Sequence, residues 1–270
     1  MALIDEWRRC PVCKRMIHSS EADCPHCTPA PSASHTRLGK YLRYLPKSVG
    51  TGIIITNFVL FVAMSLYVNL TEQGSLLNFD ARTLVLFGGK WPGGIAGGQY
   101  WRLITAGFLH TGLLHLSVNC GLLLDLGHRV ETEFGPARTA VLYFASIVAG
   151  FAASIVWSYS LSVGASPGLC GLTGAMIVFG LWNRSRIGTM IRRQYLVWLL
   201  SVLAWGLVPG SGVDAAANFG GLTGGMTAAW VLGLPGRSLL ADRVWKGAAC
   251  VCLFLTCFAF LRMLLFIGTF

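Results

Sequence analysis

His110-Thr111-Gly112-Leu113-Leu114-His115-Leu116-Ser117-Val118-Asn119 opens an apolar run that continues to residue 127. His115 and Asn119 stand four apart, so on a helix they stack on one face. An imidazole and an amide within such a run are costly, and groups of this kind face a bundle interior or a wet cavity. By themselves they read equally well as two interhelical hydrogen bonders that serve packing. The rest of the chain decides between these readings.

Further apolar stretches lie at 51–70, 139–161, 168–183, 194–209, 217–234 and 247–269. Those near 20 residues are long enough to cross a bilayer, and the shorter ones complete the crossing with neighbours or interfacial residues. Charged residues make up 12% and the mean hydropathy is +0.62, where a soluble domain carries about 25% charge. The expected fold is an all-α polytopic membrane protein. The first thirty residues are polar and rich in Cys, Arg and His, so no cleavable signal peptide is expected. Of 21 Lys and Arg, 17 fall in the N-terminal arm and the loops at 128–138, 184–193 and 235–246. The opposite loops hold Arg82, Lys90 and Arg102, and Arg262 lies in the last stretch. The positive-inside rule then places the N terminus in the cytoplasm, and seven spans leave the C terminus outside. The net charge of +10 is this asymmetry plus a basic arm, so the expected surroundings are a lipid bilayer and no nucleic acid.

That topology puts the starts of the second, fourth and sixth spans on the outer side, so His115, Asn119, Ser166 and Asn218 share a shallow depth. Packing polars have no reason to agree in depth, whereas a water-accessible site requires it. Ser166-Pro167 reads as a helix start, serine as N-cap and proline at the first helical position. The Ser166 hydroxyl and N–H then sit at the positive end of the helix dipole, where a developing oxyanion is favoured. A plain capping role for Ser166 is the simpler alternative. Gly168, Gly171 and Gly174 follow on one span and Gly221-x-x-x-Gly225 on another, small faces that let two helices approach closely.

These residues resemble the rhomboids, the family of intramembrane serine proteases, over 51–235, with a seventh C-terminal span in 236–270 behind a six-helix core. The matching residues are Trp101-Arg102 in the loop after the first span, then His110, His115 and Asn119 at the family's spacing. Gly164-Ala165-Ser166 follows, and Gly221 and Gly225 lie three and seven residues after position 218. The resemblance implies that Ser166 is the nucleophile and that His115, Asn119 and the Ser166 N–H bind the oxyanion. It also implies that Trp101 and Arg102 belong to a membrane-surface loop, that His110 braces that loop, and that catalysis takes no cofactor. Substrates would be transmembrane proteins cut near the outer face. Two positions depart from the family. Pro167 replaces a glycine and removes one N–H while leaving that of Ser166. A rival register puts Gly168-Leu169-Cys170-Gly171 on the motif with cysteine as nucleophile, but only the Ser166 register keeps Gly171, Gly174 and Ala175 at their usual offsets. Asn218 stands where the family has histidine, and an amide cannot accept a proton near neutral pH. Losing the base of a soluble serine protease costs roughly 10⁶-fold in turnover. The chain is therefore expected to be a protease scaffold that is inactive or strongly impaired. The alternatives are a pseudoprotease that binds transmembrane clients without cutting them, and an unrelated membrane protein, such as a small transporter, with coincidental motifs.

At the N terminus, Cys10-Pro11-Val12-Cys13 and Cys24-Pro25-His26-Cys27 form two C-x-x-C knuckles within residues 1–30. Four thiolates so paired can close a tetrahedral zinc site, structural because it leaves no open position. Four reduced cysteines in a tail is the plainer reading. The module resembles the small zinc ribbons appended to many bacterial membrane proteins, and a bacterial inner membrane is the expected location. Residues 31–50 read as a linker and a basic interfacial segment in which Arg37, Lys40, Arg43 and Lys47 alternate with Leu38, Tyr41, Leu42, Tyr44 and Leu45. A solvated basic linker fits that segment equally well.

Overall fold

Glycine and proline punctuate the apolar runs, and helices fill the intervals between them. The computed structural model describes residues 7–9, 16–18, 48–71, 75–157, 160–183, 186–206, 208, 212–233 and 239–269. The chain divides into two units, Met1–Pro46 and Lys47–Phe270. In the first, β1 (Trp7–Arg9) and β2 (Met16–His18) pair antiparallel, Trp7 opposite His18. Cys10, Cys13, Cys24 and Cys27 lie outside the described residues, as does the basic segment at 37–47.

The second unit is helical. α1 (Val49–Thr71) starts beside Glu131, whose Oε2 accepts from Ser48 Oγ at 2.8 Å and from Val49 N at 3.0 Å. A carboxylate there offsets the unpaired N–H groups and positive dipole of the helix start. Three short helices follow in the loop to the next long one: α2 (Ala81–Leu86), α3 (Pro92–Ala96) and α4 (Arg102–Thr105). Asp80 caps α2 by accepting from Thr83 N at 2.9 Å. The chain then runs through α5 (Leu113–Phe134), α6 (Pro136–Trp157), α7 (Ser166–Trp182), α8 (Arg186–Gly206), α9 (Ala215–Leu232) and α10 (Leu239–Ile267). Gly135, at φ +78°, ends α5, and Pro136 opens α6, the order that glycine and proline prefer.

α7 is the hub, packed by α5, α6, α8 and α9 and buried over most of its 17 residues. At about 1.5 Å per residue it is shorter than a hydrocarbon core of about 30 Å. Its neighbours, not lipid, cover it. α1, α6 and α10 are the three described helices long and apolar enough to cross a membrane by length and composition. α10 lies on α6 and α4.

One sequence expectation shifts by a residue. Ala165, not Ser166, occupies the cap of α7, so Ser166 is its first helical residue and Pro167 its second. Gly164, at φ +133°, turns the chain into the helix early enough for Leu169 N to reach Ala165 O at 3.0 Å. Ser166 is thereby released from capping.

Candidate active site

The segment ahead of α7 is held by an isolated antiparallel bridge. Lys90 and Ser162 exchange two backbone hydrogen bonds of 3.0 Å, and Gly164 N donates to Ala106 O at 2.9 Å. Ser166 emerges half-buried, and its hydroxyl makes no hydrogen bond with any described residue. Its N–H is one of the first-turn donors that a helix leaves unpaired.

His115 lies over this turn. A Cβ added to Gly164 would stand 2.9 Å from His115 Nε2 and 3.8 Å from Ser166 Oγ, so the imidazole edge and the hydroxyl flank the same glycine. Thr111 approaches the other ring nitrogen, with its Oγ1 3.1 Å and its N 3.5 Å from Nδ1. A backbone N–H can only donate, so the Thr111 N contact uses Nδ1 as acceptor and matches a neutral ring with its proton on Nε2. Asn119 donates from Nδ2 to His115 O at 2.9 Å, one turn back on α5, and keeps a second N–H on that nitrogen. His110, in the loop ahead of α5, packs edge-on against His115 at 5.0 Å between centroids. Neither of its ring nitrogens has a hydrogen-bond partner among the described residues. Burial, with His115 second, pushes its pKa down to about 3, so the ring is neutral.

Asn218 sits in the first turn of α9. Asp214 caps that helix, accepting from Ala217 N at Oδ1 (2.9 Å), while its carbonyl accepts from Asn218 N at 3.0 Å. The Asn218 side chain is 1% exposed and its Oδ1 has no partner among the described residues. Glycines press α9 onto α7. A Cβ on Gly221 would lie 2.7 Å from the Pro167 carbonyl carbon, and Gly225 meets the Gly171 backbone. Gly150 of α6 fills the notch between them, where a Cβ would lie 2.6 Å from both Ala217 O and Pro167 Cβ. Pro167, next to Ser166, is thus in contact with α9 at Gly221, one turn beyond Asn218.

Trp101 and Arg102 open α4 in the loop. Arg102 is fully buried, donating from Nε to Gln99 Oε1 (2.6 Å) and from Nη1 to Val85 O (2.6 Å) and Gly89 O (3.1 Å). Burial lowers its pKa to about 10, still well above neutrality. The Trp101 and Phe266 rings face its guanidinium at 4.6 and 4.9 Å. Cys170, the rival nucleophile, is fully buried in the interior of α7.

Residues 97–235, half of the chain, match the Rhomboid domain family. The chain belongs to the rhomboid family. It is 33% identical over 194 residues to "Rhomboid protease GluP" of Bacillus subtilis, covering 72% of this chain and 38% of that protein. It is 36% identical over 170 residues to "RHOMBOID-like protein 6, mitochondrial" of Arabidopsis thaliana (60% and 53%). To "Inactive RHOMBOID-like protein 8" of the same plant it is 30% identical over 154 residues (56% and 43%). The chain spans between about two fifths and about half of the length of these relatives. Family and apolar helices together make it an integral membrane protein.

In this rhomboid, His115 lies over the turn that leads into Ser166, Asn119 bonds back to His115 O one turn along α5, and Asn218 opens α9, which packs on α7. Sequence reading passed over Lys90, Ser154 and Asp214, which link the loop, α6 and α9. The available signal was Lys90 itself, a lone cation between Arg82 and Arg102 in an otherwise uncharged stretch.

Proposed function

We propose that this chain is a rhomboid-type intramembrane serine endopeptidase scaffold, silenced as written because Asn218 stands in place of the general base. The observation that carries this reading is the Ser166 hydroxyl, uncommitted at the start of α7 and flanked by His115 Nε2. With histidine at 218, Ser166 Oγ adds to a peptide carbonyl carbon as its proton passes to the imidazole. His115, Asn119 and the Ser166 N–H hold the oxyanion. The C–N bond then breaks, the departing amine takes the proton, and water hydrolyses the acyl-enzyme. Substrates are transmembrane helices cut near the outer face of a bacterial inner membrane, with the N terminus cytoplasmic and a seventh span, α10, leaving the C terminus outside. The test is Asn218→His in proteoliposomes with a transmembrane reporter. Cleavage should appear, and Ser166→Ala in that background should abolish it. Continued silence after Asn218→His supports the second reading, a pseudoprotease that binds transmembrane clients. The buried Asn218 Oδ1, without a partner among the described residues, and the existence of a relative named inactive both support that second reading.

We further propose structural zinc on Cys10, Cys13, Cys24 and Cys27. The β1–β2 hairpin supports it, since the first knuckle falls in the connection between the paired strands. Metal analysis of the purified full chain should find about one zinc per chain, as a four-sulfur site holds one ion. Cys10→Ser with Cys13→Ser should abolish it, and unchanged zinc in that variant refutes the assignment.

A further inference from the structure

Lys90 is a long cationic side chain with no exposure at all. An ammonium is removed from water only at high cost unless it is paired and hydrogen-bonded. Its Nζ donates to Ser154 Oγ at 2.8 Å and to Ser160 O at 2.9 Å, and its backbone pairs both ways with Ser162. Ser154 Oγ, at the end of α6, in turn donates to Asp214 Oδ2. Asp214 holds the first turn of α9 through Ala217 N and Asn218 N. Lys90 therefore ties two segments of matching register, one through its backbone and Nζ together and the other through Nζ. Ser162 lies four residues before Ser166, and Asp214 four residues before Asn218.

We propose that Lys90 is a positioning residue that sets the spacing between Ser166 and residue 218, its Nζ acting through Ser160 O, beside the Ser162 backbone pairing, on one side and through Ser154 and Asp214 on the other. The chemistry suits lysine. Its ammonium is a compact donor with three hydrogens that serves several acceptors at once, and the Asp214 carboxylate balances its charge through one hydroxyl. Burial depresses the ammonium pKa, while the Asp214 charge opposes that shift. Ser154 is the joint, because it accepts from the lysine and donates to the aspartate with the same oxygen.

The role rests on the protease reading for its catalytic meaning but not for its geometry, so the experiment has two arms. In the first, Lys90→Met, Ser154→Ala and Asp214→Asn are placed in the Asn218→His chain and turnover of the transmembrane reporter is measured. A misplacement of about 1 Å between reacting groups costs on the order of 10²-fold. Each variant should therefore lose about ten-fold or more in kcat with KM within about two-fold. Lys90→Met with Asp214→Asn should fall no further than the worse single variant, as expected for residues acting as one unit. The second arm needs no activity. A Ser166→Cys/Asn218→Cys chain is treated with a short bifunctional thiol probe, and the 166–218 product is quantified by mass spectrometry. Lys90→Met should reduce that product several-fold, and if Lys90→Met fails to fold, Ser154→Ala is read in the same way. An unchanged 166–218 product overturns the proposal whatever turnover does. A reduced product with no cleavage from any Asn218→His chain keeps the positioning role and removes the protease reading.

Discussion

Gly164 is where backbone conformation and the site meet most closely. At φ +133° it occupies a region that residues with a Cβ rarely adopt, and any Cβ there would stand 2.8 Å from His115 Cε1. Gly135 also has a positive φ, at +78°, but open space around its missing Cβ. The pair separates strain from site geometry. Both Gly164→Ala and Gly135→Ala should lower unfolding stability, by about 1–3 kcal/mol. In the Asn218→His background only Gly164→Ala should also abolish cleavage, because it alone drives the His115 ring away from Ser166. Denaturant unfolding in detergent and the reporter assay check the two halves, and equal activity in both variants contradicts the geometry. The identity of this glycine was legible in the sequence as part of Gly164-Ala165-Ser166. The exact cap was not. Serine and proline have strong preferences at the cap and first position, but the backbone reversal at Gly164 starts the helix one residue sooner than those preferences imply.

Hydropathy located the long elements and misjudged where some begin. The apolar runs at 194–209 and 247–269 belong to helices that start at Arg186 and Leu239, eight residues earlier. Arg192 and Arg193 lie on the first turns of α8, and Asp242, Arg243 and Lys246 on those of α10. Hydropathy reports which residues leave water, whereas backbone hydrogen bonding continues through a charged turn without penalty. The loop helices α2, α3 and α4 were illegible for a different reason. At four to six residues they are too short to show a period. What holds them is non-local: Arg102 reaches Val85 and Gly89, and Tyr143 on α6 donates to Gly107 O at 2.9 Å. The contact between α7 and α9 was half legible. Gly221-x-x-x-Gly225 announces a close approach, but Gly171 is also pressed by Ser146, so the approach is a three-helix junction with α6. Pairwise small-residue motifs carry no trace of a third partner.

Across the whole molecule, α10 is fastened at both ends. Near its start Asp242 Oδ1 pairs with Arg138 Nη2 at 2.8 Å, beside the first turn of α6. Near its end Phe266 lies against Trp101, 5.8 Å between centroids, with the Arg102 guanidinium facing both rings, and Phe260 meets Phe108 at 5.3 Å. The 24 residues from Asp242 to Phe266 rise about 36 Å at 1.5 Å each, slightly more than a hydrocarbon core of about 30 Å. The two fastenings therefore fit the two faces of a bilayer, one on the side of Glu131 and Arg138, the other on the side of Lys90 and Arg102. The fastening at Phe266 connects the last helix to the site, since Arg102 binds Gly89 O and the next residue is Lys90. Phe266→Ala should lower stability by about 1–3 kcal/mol, the sum of an aromatic pair and a cation–π contact. Phe266→Leu, which keeps apolar bulk and removes the ring face, should lose about half of that. Leu264→Ala, two residues away and 60% exposed, should change little. Unfolding midpoints in detergent rank the three variants, and limited proteolysis of 75–112 should speed up only in the two Phe266 variants. If Leu264→Ala proves as damaging as Phe266→Ala, α10 is held by general apolar contact and the guanidinium between two rings is incidental.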